Sequence, residues 1–254
     1  MTRRLLTLFC LFGWCLPAGA LVGGAASVEG TGVGRHVVLI VGSRGTSCTG
    51  AAIVHDLVLT AAHCVLPGSD YKLVEFDAAR RPNLRDAASV TPHPRFKLAD
   101  LLGHRATADV AIVKLAAPLA GSVTPSALGL RNTVSVGDRF TVAGYGVTVR
   151  GDGRTGGTAR AAVLVATGRP GNLQIRLVDP ATNDVRAGLG ACTGDSGAPA
   201  FEESGGRFAI IGVVSWSTGP GGTDGCGGLT GITPLVLYRD WIVETARKLG
   251  SPLQ

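Results

Sequence analysis

Short runs of β-branched and aliphatic residues, each cut off by glycine-rich or polar turns, leave this chain little freedom to build anything but an all-β fold. Val37 to Val41, Ala51 to Val54, Leu57 to Thr60, Lys72 to Phe76, Val110 to Leu115 and Phe140 to Ala143 have strand length and composition. So do Ala161 to Ala166, Leu173 to Val178, Phe208 to Trp216 and Leu229 to Thr233. Val134 to Val136 reads as one more strand, turned at Gly137-Asp138. The 38 glycines supply tight turns, and Gly151 to Gly157 reads as an exposed loop. Only Leu237 to Leu249 has helical spacing, with Leu237, Trp241, Ile242, Thr245 and Leu249 on one face and Gly250 and Pro252 as the stop. Residues 116–133, rich in Ala, Pro, Gly and Ser, read as a linker between two groups of strands, and 254 residues suffice for two small barrels.

The first twenty residues have the pattern of a signal peptide. Arg3 and Arg4 precede the apolar run Leu5 to Leu16, and Pro17-Ala18-Gly19-Ala20 ends in an Ala-x-Ala cleavage site. The run is too short to cross a bilayer, which needs about 20 apolar residues. Cys10 and Cys15 follow Phe9 and Trp14, not the small residue that precedes a lipidated cysteine, so no membrane anchor is expected. The expectation is an exported protein, secreted or periplasmic, that begins at residue 21. Removing the leader takes two arginines from a net charge of +6. The remaining basic residues are scattered, without the stripe that marks a nucleic-acid binder, so no nucleic-acid partner is expected. Cys48, Cys64, Cys192 and Cys226 remain, an even number that implies disulfides in an exported chain. Three pairings are open at this level. A zinc site is the rival reading, but no Cys-x-x-Cys or His-x-x-x-His spacing supports it, and no metal is expected.

Three segments carry chemistry. In Gly194-Asp195-Ser196-Gly197, glycines on both sides let the backbone turn sharply and leave N–H groups bare beside a serine hydroxyl. The bland alternative is a plain Gly/Asp/Ser turn. Ala198 rules out the Gly-x-Ser-x-Gly elbow of α/β-hydrolases. In Val58-Leu59-Thr60-Ala61-Ala62-His63-Cys64 a strand delivers a histidine between small residues, whereas His36, His55, His93 and His104 have no such setting and read as structural or surface groups. In Thr107-Ala108-Asp109-Val110-Ala111-Ile112-Val113-Lys114-Leu115 an acid heads a strand, which favours Asp109 over its rival Asp100.

The order His63, Asp109, Ser196, embedded in TAAHC, ADVAIVKL and GDSG, resembles the trypsin-like serine proteases. The resemblance covers residues 21 to 254. Leu21-Val22-Gly23-Gly24, Val90-Thr91-Pro92-His93-Pro94, Gly144-Tyr145-Gly146, Ser215-Trp216-Ser217 and Tyr238-Arg239-Asp240-Trp241-Ile242 support it in the same order. It implies two packed six-stranded antiparallel β-barrels, the first at about 21–125, the second at about 126–236, closed by a helix at about 237–249. It also implies a serine endopeptidase that works without a cofactor, most simply as a monomer, on protein or peptide substrates, with proteinaceous inhibitors as further partners. His63 would be the base, Asp109 its orienting acid, Ser196 the nucleophile, and the N–H groups of Gly194 and Ser196 the oxyanion hole. Cys48 would pair with Cys64, and Cys192 with Cys226.

Departures from the family pattern bear on specificity and activation. Gly190, Ser217 and Thr230 would shape the primary pocket, while Ser215, Trp216 and Ser217 would hold extended substrate backbone. With Gly190 where trypsins carry an aspartate, small or medium apolar residues are expected before the cut, not Arg or Lys. Leu21 directly follows the leader, so its freed amine would pair with Asp195 without a separate activation cut. Two other readings are a non-catalytic homologue with the same fold and adhesion through Arg150-Gly151-Asp152.

Overall fold

The computed structural model describes residues 21–253 except 24, 78 and 169–172. The expected leader, with Cys10 and Cys15, lies outside the described residues. A two-residue strand, β1 (Ala26–Ser27), precedes the first barrel, which closes through β2 (Val37–Gly42), β3 (Ser47–Val54), β4 (Leu57–Thr60), β5 (Tyr71–Phe76), β6 (Pro82–Pro92) and β7 (Ala111–Leu115) in the order β2-β3-β4-β7-β6-β5. A short helix, α1 (Leu98–Leu102), rides on the β6–β7 connection. After β8 (Ala127–Leu128) come β9 (Arg139–Gly144), β10 (Arg160–Gly168), β11 (Ile175–Val178), β12 (Pro199–Ser204), β13 (Arg207–Ser217) and β14 (Thr230–Pro234). Six of these run β10-β11-β14-β13-β12-β9, and the β9–β10 pairing closes them into a second antiparallel barrel. The fold is thus all-β with two six-stranded barrels, ended by the helix α2 (Arg239–Lys248).

The strands read as continuous apolar runs because many are buried on both faces. In β4, Val58 fills the first barrel, while Leu57 and Leu59 point the other way into a cluster shared with Phe201, Ile210 and Val213 of the second barrel. In β7, Ala111, Val113 and Leu115 face inward and Ile112 faces that shared cluster. Ile242 and Ala246 of α2 pack there too. Each fully buried Leu or Ile contributes about 1.5–3 kcal/mol relative to exposure. The inter-barrel layer therefore holds the cleft walls together.

Several segments depart from the sequence reading. The start of the described chain sits with the second barrel, not the first: Leu21 and Ala25 join its core and β1 pairs with β10. Val134 to Val136 forms no strand. It has no pairing partner, and the Asp138 carboxylate accepts the Ser135 N–H at 2.8 Å in a local turn. The segment 116–133 does connect the barrels, but it carries β8, paired in parallel with β13. The final helix starts at Arg239, because Leu235–Leu237 is a 3-10 turn. The long polar strand β6, the strand β12 and helix α1 were not legible.

Candidate active site

His63 lies on a 3-10 turn (Ala62–Val65) directly after β4. Asp109 lies two residues before β7 and is fully buried. A buried carboxylate needs every lone pair answered. Oδ1 of Asp109 accepts the His63 backbone N–H at 3.0 Å, Oδ2 meets the His63 Nδ1 at 2.8 Å, and the Ser215 hydroxyl donates to Oδ2 at 2.5 Å. The ring of His63, 19% exposed, thus has Nδ1 tied to the acid and its other edge toward a cleft.

That cleft has a volume of about 370 Å³ and is walled by His63, Ser196, Gly194, Ser217 and the Cys192–Cys226 disulfide. Among the described residues the Ser196 hydroxyl makes no hydrogen bond; it opens with the imidazole onto the one cleft. Such contacts often tighten only once substrate is bound. The backbone N–H groups of Gly194 and Ser196 make no bond among the described residues, while Asp195 N–H is used by Cys192 and Gly197 N–H by Val214. Gly194 (φ +96°) and Gly197 (φ +79°) hold this backbone in the left-handed region. A side chain at Gly197 would collide with the Thr60 hydroxyl and the Thr49 carbonyl.

Asp195 is completely buried beneath this loop. It accepts N–H bonds from Gly146 and Cys192, each at 2.9 Å. Burial pushes its carboxyl up to about 7, against the pull of those two donors and of Arg160. The Gly144-Tyr145-Gly146 segment has a direct cause here, since a Cβ at either glycine would strike the Asp195 carboxylate. Leu21 is buried in the second-barrel core and Val22 bridges to Gly190. Gly23 (φ +95°) lies against Gly188, where a Cβ would come within 2.5 Å of backbone.

The residues expected to shape specificity are also placed. A Cβ at Gly190 would sit 3.2 Å from Gly227 Cα, so backbone closes over that position. Thr230 is buried with its hydroxyl accepting the Ala191 N–H at 3.0 Å, and its strand pairs it with Ser217. Trp216 is opposite Gly231, where any side chain would meet the indole. Beyond Val213, β13 pairs only with β14 among the described residues, which leaves one edge of Ser215–Ser217 without a strand partner there. The structure pairs Cys48 with Cys64 and Cys192 with Cys226, so none of the four is available as a thiolate ligand.

The rival residues lie elsewhere. Asp100 is paired with Arg105 at 2.5 Å. His93 stacks edge-on against Tyr238 and Trp241, His36 packs against Phe201 and Phe208, and both have lowered pKa values, mainly through burial. In Arg150-Gly151-Asp152, Arg150 pairs with Asp224 at 2.7 Å and Asp152 caps its own turn by accepting the Arg154 N–H at 3.1 Å. Sequence reasoning missed Thr49 and the hydroxyl role of Ser215. Their partners are 145 and 106 residues away, and no local pattern announces them.

Comparison with known proteins completes this picture, because the Trypsin family matches residues 21–242. The chain belongs to the trypsin family. It is a serine endopeptidase, a hydrolase whose substrates are proteins or peptides. Among trypsin-family relatives, the vitellin-degrading protease of Bombyx mori is 28% identical over 271 residues, covering 98% of this chain and 97% of its own. Serine protease SP24D of Anopheles gambiae is 29% identical, over 90% of this chain and 82% of its own length. Among solved trypsin-like folds, human heparin binding protein aligns with a TM-score of 0.68 and 27% identity, over 92% of this chain and 100% of that one.

Proposed function

We propose that the chain is an exported endopeptidase that acts through Ser196, His63 and Asp109 by way of an acyl-enzyme. One observation carries the reading: the buried Asp109 holds Nδ1 of His63 at 2.8 Å in a cleft where the Ser196 hydroxyl lies beside N–H groups that make no bond among the described residues. His63 takes the Ser196 proton as the hydroxyl oxygen attacks the scissile carbonyl, then returns it to the leaving amine. Asp109 fixes the imidazole tautomer and stabilises its charged form. The N–H groups of Gly194 and Ser196 take up the negative oxygen, a contribution of about 10²–10³ in rate per donor. The open edge of Ser215–Ser217 supports pairing with extended substrate.

The primary pocket takes small or medium apolar side chains. Gly190 carries no carboxylate, Asp184 accepts the Gly221 N–H, and Asp224, which lines the cleft, pairs with Arg150. A leader at residues 1–20 directs export, and its removal at Ala20 frees the Leu21 amine to pair with Asp195. The burial of Leu21 and the buried Asp195 carboxylate, which makes no ion pair among the described residues, support that pairing. The enzyme then needs no separate activation step and acts as a monomer that proteinaceous inhibitors can block.

Labelling with a serine-directed phosphonate tests the catalytic reading. The expected adduct sits on Ser196 and is lost in His63→Ala. A correctly folded chain that takes no label is a non-catalytic homologue. N-terminal sequencing of the exported, active form tests the start at Leu21, and cleavage profiling that returns mainly Arg or Lys before the cut would falsify the pocket assignment.

A further inference from the structure

We propose that Thr49 is a positioning residue for the oxyanion site, a role that rests on Gly194 and Ser196 supplying its N–H donors. Thr49 lies in β3 of the first barrel and is fully buried. Its hydroxyl donates to the Gly194 carbonyl at 2.9 Å and accepts the Tyr145 N–H at 3.0 Å. Its backbone N–H donates to the Ser196 carbonyl at 2.8 Å, and its own carbonyl accepts the Thr60 hydroxyl at 2.8 Å. One first-barrel residue therefore grips the carbonyls of both residues whose N–H groups make no bond among the described residues.

The grip matters because Gly194 has no side chain to restrain it and sits at φ +96°. Its N–H direction depends on rotation about backbone bonds that glycine leaves soft. Holding its carbonyl from outside fixes the following peptide plane and limits that rotation. The Tyr145 N–H, accepted by the same hydroxyl, ties in the segment that carries Gly146, a donor to Asp195. Donors aimed before the reaction begins are what make such a site effective.

Thr49→Val keeps the shape and the backbone N–H but removes the hydroxyl. The expected result is a kcat about 10- to 100-fold lower with KM within about 2-fold, because only the developing oxyanion feels the change. Affinity for a peptide aldehyde, which forms an oxyanion on Ser196, falls in parallel, while affinity for the cleaved product peptide does not. Thr49→Ser keeps the hydroxyl and holds kcat within about 3-fold. Thr49→Ala serves if the valine variant does not fold. A hydroxyl-free folded variant with normal kcat, a serine variant as slow as the valine one, or aldehyde and product affinities lost together overturns the proposal. Phosphonate labelling of Ser196 in the unmodified enzyme separates these outcomes from failure of the catalytic reading itself.

Discussion

The first barrel presents its side chains to the cleft from the ends of regular elements, the second from irregular backbone. His63 follows β4 by three residues and Asp109 precedes β7 by two. Residues 190–197, between β11 and β12, contain no strand. The two jobs demand different supports. An imidazole and a carboxylate need fixed orientation, which paired strands provide. An oxyanion site needs bare N–H groups, and a strand in the middle of a sheet spends them on its neighbours. The second barrel leaves Gly194 and Ser196 unpaired by giving up regular structure, and it recovers rigidity from the buried Asp195, the Cys192–Cys226 disulfide and Thr49 of the other barrel.

The sharpest way to break this division of labour is to remove one group from each side. Ser196→Ala should lower kcat/KM by roughly five to six orders of magnitude and Asp109→Asn by about 10⁴, both with unchanged circular dichroism. Comparable residual rates near that of the unmodified enzyme would show that the cleft is not where chemistry occurs. Next in size is the backbone itself. Gly197→Ala forces a methyl group into Thr60 and Thr49 at positive φ and should cost about 4 kcal/mol or more. Gly45→Ala, also at positive φ but in open space on the first barrel, should cost only about 1 kcal/mol in denaturant unfolding. Equal costs would deny the second barrel its special backbone.

Removing the disulfides gives a finer comparison. Loop lengths of 34 and 16 residues suggest losses of about 4 kcal/mol for Cys192–Cys226 and about 3 kcal/mol for Cys48–Cys64. Ser215→Ala, which strips one donor from Asp109, should lower kcat by about 10-fold and leave product affinity unaltered. The smallest effect concerns pH. In the uncleaved chain the Asp195 carboxyl is pushed up to about 7 from 3.8, so folded chains keep a proton that unfolded chains lose. Stability then falls as pH rises between those values and is level above them. In a chain starting at Leu21, an ammonium beside Asp195 removes that decline. The amine's raised pKa moves the loss to alkaline pH, above about 8. Denaturant titrations of both forms from pH 4 to 9 distinguish the two profiles, and identical profiles would exclude the pairing.

How much of this was legible depended on distance along the chain. His63 and Asp109 stood out because each adjoins a strand visible in its own few residues. Gly194-Asp195-Ser196-Gly197 stood out because positive φ must be written as glycine. β6 was hidden because its outer face meets water and its composition is polar, while barrel closure supplies the partners β5 and β7. Val134 to Val136 erred the other way, having strand composition but no neighbour to pair with. Ser215 was read for its backbone alone, because nothing near it signals a carboxylate 106 residues away.

The order of residues alone determined an all-β chain with one final helix, the chemically capable segments, and an even set of four cysteines after residue 20. Local dihedral preference and side-chain periodicity act over a few residues, so a linear reading reaches them. Tertiary packing decided which strands pair, that Leu21 and Ala25 belong to the second barrel, and that a threonine in β3 bonds the loop around Ser196. Contacts of the last two kinds join segments more than a hundred residues apart, Ala26 with Ala161 and Thr49 with Gly194, and no short-range preference encodes that separation.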